Sequence, residues 1–220
     1  MKWSYSSLKL FQQCPKKYYH LKVAKDVAQQ DTTATNYGKE VHKAAEDYIS
    51  KGVPVHPKYD YMVPILESLE NIKGDKYCEL ELGISCKNGR FNSCGFDSPD
   101  YWWHGIVDLL IVNDDSAYMV DYKTSKNAKY ADLKQLDYMA SAVFLKFPKV
   151  LEIKSALVFV VSGEFVQKKH ERMFHLAYLE SAMQDLNRLE NAVQSGVWNP
   201  VSGPLCKFCP VKNCMHNRSY

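Results

Sequence analysis

Three observations predict an α/β fold with a mixed central sheet flanked by helices. The hydrophobic period is helical through residue 72, becomes an alternation over 77–124, returns to helical over 130–147, alternates again over 154–175 and ends helical. Tight-turn sequences, KNGR at 87–90 and NDDS at 113–116, separate the alternating runs. The longest apolar run, ALVFVV at 156–161, suits a buried strand and is far too short to span a bilayer.

Residues 5–19 read as a short helix interrupted before Pro15, because proline disfavours a helical residue ahead of it. YGKEVHKAAEDYISK, 37–51, is a helix with Val41, Ala44, Ala45, Tyr48 and Ile49 on one side, and 58–72 is a second. Strands follow at 77–86, 101–112 and 116–124 as a meander, then a helix over 130–147. Strands at 154–162 and 165–175 are joined by a tight turn at SGE, and a helix over 177–195 ends at Gly196. Helices, a meander, a helix, two strands and a helix make a layered α/β domain. The 220 residues are read as one domain.

Hydrophobic residues make up 46% of the chain and charged residues 24%, as in ordinary folded proteins. The opening MKWSYSSLKLFQQC is polar and without an apolar signal region, so a cytoplasmic protein is expected. The net charge of +3 is uneven. Residues 1–25 carry six lysines and no acid, and 205–220 carry Lys207, Lys212 and Arg218 without an acid, while the middle holds 19 Lys and Arg against 25 Asp and Glu. If the ends meet, they form a basic lobe on an acidic body; otherwise they are solvated termini. Seven cysteines, an odd number, fit reduced thiols better than a secreted disulfide framework. Cys78, Cys86 and Cys94 match no tight ligand spacing and read as packed thiols. CKFCPVKNC places Cys206, Cys209 and Cys214 within nine residues, one thiolate short of a four-cysteine site.

The chemistry concentrates in HGIVDLLIVNDDSAYMVDYKTSK, 104–126. Strand alternation points Asp121 and Lys123 the same way, roughly 7 Å apart, and the short turn makes Asp108 a neighbour from the preceding strand. Two facing carboxylates repel unless a hard divalent cation joins them, and an ammonium beside them can stabilise charge on a phosphoryl group. In KQLDYMASAVF, Gln135 and Tyr138 are three apart on one helical face. His42 in GKEVH adds a metal-binding imidazole. From D-x-K alone, a salt-bridged strand edge is the bland alternative.

These stretches together resemble the RecB-type branch of the PD-(D/E)XK nucleases, especially those with an iron–sulfur cluster, such as the CRISPR-associated adaptation exonuclease and the AddB nuclease domain. SYSSLKLFQQCPKKYYH is similar to the opening segment of that group. GKEVH, GIVD, VDYKT and QLDYM resemble its motifs in order, giving His42, Asp108, Asp121, Lys123 and Gln135. The resemblance runs from residue 4 to 214. Two departures stand out: Met139 occupies the usual tyrosine position, with Tyr138 one residue earlier, and the Cys209–Cys214 spacing is one residue shorter than in close relatives.

The resemblance implies a restriction-endonuclease-like core. It groups Cys14 with Cys206, Cys209 and Cys214 around a 4Fe-4S cluster, with zinc as the alternative, joining residues 1–25 to 200–220 as one lobe beside the DNA path. It implies Mg²⁺ or Mn²⁺ held by His42, Asp108, Asp121 and the Tyr122 carbonyl, with Asp108, Asp121, Lys123, Gln135 and Tyr138 acting in catalysis. The implied activity is metal-dependent exonuclease action on DNA ends, single strands included, in recombination, repair or replication. An endonuclease or flap-cutting enzyme with the same site, and a catalytically silent DNA-binding module, are the alternatives. No helicase motif is present, so unwinding falls to a helicase or recombination partner. FDSPDYWWHG, 96–105, offers aromatic rings for base stacking, with one of Trp102 and Trp103 expected in the core. Lys126 and Lys129 are candidate phosphate contacts.

Overall fold

Six strands form one mixed sheet in the computed structural model, which describes residues 2–28, 32–129 and 131–217. Tyr130, expected at the start of a helix, and Arg218, one of the terminal cations, lie outside the described residues. The chain divides into two compact units. One comprises Met1–Thr32 with Glu180–Tyr220, and the other is Thr33–Leu179.

In the first unit, helix α1 (Tyr5–Gln13) starts at a reciprocal cap. The Ser7 N–H donates to Ser4 Oγ at 3.3 Å and the Ser4 N–H donates to Ser7 Oγ at 2.9 Å. Leu8 and Phe11 are its buried side. Cys14 is extended, with φ −164°, and Pro15 opens α2 (Pro15–Tyr18), so the chain breaks where the proline predicted. A π turn over Tyr19–Val23 follows. Tyr18 stacks on Trp198, with ring centroids 6.0 Å apart at 22°, and Phe11 meets Trp198 edge-on.

In the second unit, α3 (Thr33–Lys51) begins four residues before the predicted start, and 57–62 winds as a tighter 3₁₀ turn before α4 (Val63–Glu70). The strands are β1 (Asp75–Lys87), β2 (Arg90–Cys94), β3 (Tyr101–Asn113), β4 (Ser116–Lys123), β5 (Glu152–Phe159) and β6 (Glu164–Glu171). They lie in the order β2-β1-β3-β4-β5-β6, all neighbours antiparallel except β4 and β5, which α5 (Lys134–Lys146) connects. The sixth strand is β2. Its polar sequence RFNSC shows no alternation, but the turn before it gives the hairpin away: Asn88 and Gly89 both have positive φ, 51° and 74°, as a two-residue hairpin turn requires. The last strand stops at Glu171, not 175, and α6 (His175–Ser195) ends at Gly196, whose φ is 69° and whose N–H donates to Ala192 O at 3.0 Å.

The core that carries α3 and α4 consists of Val41, Ala45, Met62 and Leu66 packed on Leu109, Ile111, Val120, Tyr122 and Val158. Each fully buried side chain of this size contributes roughly 1.5–3 kcal/mol. Val120 and Tyr122 share one strand parity; Asp121 and Lys123 have the other and meet α5 through Gln135. Nine consecutive residues of α5, Leu136–Phe144, are buried. Trp103 is 1% exposed and Trp102 9%, so both indoles are core, Trp102 against Phe91. Among the described residues no helix is long and apolar enough to cross a membrane.

Candidate active site

A fork in the sheet builds the site. β3 and β4 pair from Asn113–Ser116 up to Leu109–Val120. Beyond that pair β3 continues along β1 while β4 continues along β5. Asp108 and Asp121 are the next residues on the two arms, so the divergence begins between their side chains. The Tyr122 N–H, left without a ladder partner across the fork, donates to Asp108 Oδ2 at 2.7 Å. One carboxylate thus replaces a lost sheet bond and is fixed in orientation by it.

Helix α3 closes the fork with His42. Its Nε2 lies 3.0 Å from the Tyr122 carbonyl and its Nδ1 3.3 Å from Asp108 Oδ1. Both ring nitrogens therefore face acceptors, which a neutral imidazole can serve only once. Burial opposes charge on the ring, but the Asp108 hydrogen bond and the charges of Asp108, Asp121 and Glu79 outweigh it and raise the His42 pKa.

On the other arm Asp121 is 4% exposed. Its Oδ2 is ion-paired with the Lys123 ammonium, and its Oδ1 accepts from Gln135 Nε2 at 2.7 Å. Lys123 donates in turn to Gln135 Oε1 at 3.3 Å, closing a three-membered ring of polar contacts. Burial pushes the Asp121 carboxyl up to about 6, with Lys123 pulling against it and Asp108 adding to the rise.

The structure thus brings His42, Asp108, Asp121, the Tyr122 carbonyl, Lys123 and Gln135 together. Tyr138 is buried in α5, 1% exposed. Met139, one residue on, shares the face of Gln135, with its Sδ 3.8 Å from Gln135 Nε2. A helix turns about 100° per residue, so position i+4 returns closer to the starting face than i+3. Lys126 is exposed in the loop after β4.

Glu79 was not expected from the sequence. One oxygen of Glu79, one of Asp108 and one nitrogen of His42 lie within 4.8 Å of one another, and among the described residues no other set of three or more such ligands is drawn so close. Burial, then the Asp108 charge, pushes the Glu79 carboxyl up. An imidazole with two or three carboxylates and a backbone carbonyl is a hard, oxygen-rich donor set that suits Mg²⁺ or Mn²⁺.

Cys14, Cys206, Cys209 and Cys214 line one cavity of about 160 Å³ within the first unit. The Val201 N–H points at Cys14 Sγ at 3.5 Å and the Gly203 N–H at Cys206 Sγ at 3.3 Å. The sulfurs are not gathered to the spacing of a single tetrahedral ion, about 3.8 Å for Zn–S bonds of about 2.3 Å. None of the seven cysteines forms a disulfide.

A search of curated protein sequences returns no match. Among solved structures, SSO0001 is similar at 15% identity and a TM-score of 0.48, over 98% of this chain and 86% of that one. A protein from Eubacterium rectale, described as “Putative exonuclease”, is similar at 14% identity and a TM-score of 0.51, over 96% and 88%. At that identity the likeness concerns the fold alone. The family model of the PD-(D/E)XK nuclease superfamily matches residues 2–63 and 65–214, nearly the whole chain. With its mixed sheet, flanking helices and forked strands in the restriction-endonuclease-like arrangement, the chain belongs to the PD-(D/E)XK nuclease superfamily.

Proposed function

We propose that the protein is a metal-dependent DNA exonuclease that hydrolyses phosphodiester bonds at DNA ends, single strands included. The observation that carries this reading is the fork that gathers His42, Asp108, Asp121, Lys123 and Gln135 in a chain of this superfamily. His42, Asp108, Asp121 and the Tyr122 carbonyl would hold a divalent cation, which would supply Lewis-acid stabilisation of the charge that builds on the phosphate. Lys123 orients the attacking water and donates to a phosphoryl oxygen as the P–O bond to the leaving oxygen breaks. The water proton leaves to solvent and the leaving oxygen takes one up. Gln135 holds Asp121 and Lys123 in register, and Tyr138, buried one turn on, supports the helix that carries Gln135. His104, with ring centroids 4.7 Å from Phe96 and 4.7 Å from Tyr101, shares the β3 parity of Asp108, and this aromatic group is a surface for bases.

The thiols around the first unit's cavity suit a 4Fe-4S cluster better than a single zinc ion, because they ring a space instead of converging on a point. Backbone N–H groups directed at Cys14 and Cys206 fit thiolate ligands. The cluster's role is structural, joining the two terminal segments and their lysines. Duplex unwinding is left to a helicase or recombination partner.

End-labelled linear single strands and closed circles, each with Mn²⁺ or Mg²⁺, test the reading. Linear DNA is degraded and circles persist. Lys123→Ala lowers the turnover of linear DNA by about 10²–10³. Cutting of circles replaces the exonuclease with an endonuclease, and full activity of Lys123→Ala removes the active-site assignment.

A further inference from the structure

We propose that Glu79 is a ligand for a divalent cation held jointly with His42 and Asp108. This rests on the metal-dependent nuclease reading above and adds to it a residue outside its motifs. In the β1–β3 pairing Glu79 falls between Cys78–Leu109 and Leu80–Val107, directly opposite Asp108. Its backbone is left-handed, with φ 48°, inside a strand. Such a conformation costs a non-glycine residue of order 1 kcal/mol, and here it sets the carboxylate toward another carboxylate.

The acids around Glu79 are partnered. Asp108 accepts from the Tyr122 N–H and meets His42, Asp121 is held by Gln135 and Lys123, and Glu46 pairs with Lys43. Among the described residues Glu79 has neither a hydrogen bond nor an ion pair. A half-buried carboxylate facing a second one is unfavourable, and the charges of His42 and Lys43 offset this only in part, so the Glu79 carboxyl is still pushed up. The three ligand atoms lie within 4.8 Å of one another. Ligand atoms around a Mg²⁺ ion with bonds of about 2.1 Å stand about 3–4 Å apart, so small side-chain rotations complete the set.

Access favours an ion over a second buried contact. Glu79 and His42 line an open cavity of about 400 Å³ together with Gly38, Lys39 and Lys43 of α3. A hydrated cation can reach Glu79 and His42 there, beside Glu46, which Lys43 pairs. Asp121 and Lys123 occupy the other arm of the fork, with Asp108 between the two groups. Glu79 and His42 thus approach the cation from the α3 side of Asp108, and Asp121 and the ammonium approach it from the β5 side.

Mn²⁺ binding to the intact chain, followed by electron paramagnetic resonance and by the Mn²⁺-dependent rise in Tm, tests this without reference to turnover. Wild-type protein binds Mn²⁺ and is stabilised by it. Glu79→Gln weakens binding by about tenfold or more and raises the Tm of the metal-free protein, because the charge facing Asp108 is gone. Glu79→Asp keeps the charge on a shorter arm, binds with intermediate affinity, and carries the test if Glu79→Gln does not fold. Wild-type Mn²⁺ affinity in either variant overturns the role of Glu79 and leaves the nuclease reading standing. No Mn²⁺ binding by the wild-type protein overturns both.

Discussion

Acidification from pH 7 to about 4 is expected to weaken the Thr33–Leu179 unit through one imidazole. His170 on β6 is 0% exposed. Its Nε2 lies 2.8 Å from Ser155 Oγ, and that hydroxyl donates to the Lys168 carbonyl at 3.0 Å, so Nε2 carries the proton. Its Nδ1 faces Asp137 Oδ1 at 3.4 Å, but that carboxylate is already paired with Lys168 Nζ at 2.6 Å, and Tyr178 covers the ring edge-on. Ser155, His170 and Asp137 thus have the order of a nucleophilic relay, yet the serine is 1% exposed and its proton is committed to a carbonyl. The set is an anchor: it ties α5 to β5 and β6 two residues beyond Gln135. Burial first, and the Lys168 charge second, lower the His170 pKa from 6.5 to about 4. The unfolded chain therefore takes up a proton near pH 6.5 that the folded chain refuses until about 4. Stability is complete above that window and is lost as the pH falls through it. At ~1.4 kcal/mol per pH unit the loss is on the order of 3 kcal/mol. Urea unfolding of wild-type protein and His170→Gln, across pH 7 to 4, isolates the effect. The stability difference between the two shrinks by that amount on acidification, with Asp137, whose raised carboxyl works in the opposite direction, retained in both. Parallel pH profiles for the two proteins refute the reasoning.

Two glycines of the motif stretches differ in what they exclude. A Cβ at Gly105 falls 2.6 and 2.7 Å from the Trp103 indole, itself 1% exposed, so Gly105→Ala costs about 1–3 kcal/mol and lowers the Tm in calorimetry. A Cβ at Gly38 meets Thr124 Oγ1 at an ordinary 3.7 Å within a helix, so Gly38→Ala is neutral or stabilises by up to about 1 kcal/mol. At the cysteine cavity, anaerobically purified protein is expected to show visible iron–sulfur absorption that Cys206→Ser diminishes; a colourless wild-type protein with bound zinc reverses that assignment.

What the sequence made legible follows from which physical constraints are local. Strand alternation placed Asp121 and Lys123 on one face, and a four-residue turn fixed Asp108 across from them, because both depend on neighbours in the chain. Gln135 was within reach for a similar reason: α5 is the connection between the parallel strands β4 and β5 and must pack back on them. Tyr138 was a matter of helical phase. Met139 at i+4 keeps to the face of Gln135.

Glu79 could not be reached in this way. In CELELGISCK, Glu79 and Glu81 alternate with apolar residues and read as an outward strand face. Which of them meets Asp108 depends on the β1–β3 register. A one-residue slip would turn Glu79 away and bring a neighbour into its place. That register is set by a hairpin whose second strand, β2, gives no periodic signal, by the 95–100 connection, and by a shift near Ile84 and Ser85. Non-local pairing therefore chooses which residue outside the motifs joins His42 and Asp108 at the fork. The left-handed backbone at Glu79 marks the same position independently. The surrounding structure must offset a strained conformation that aims one carboxylate at another, and a cation between His42, Glu79 and Asp108 would add such contacts.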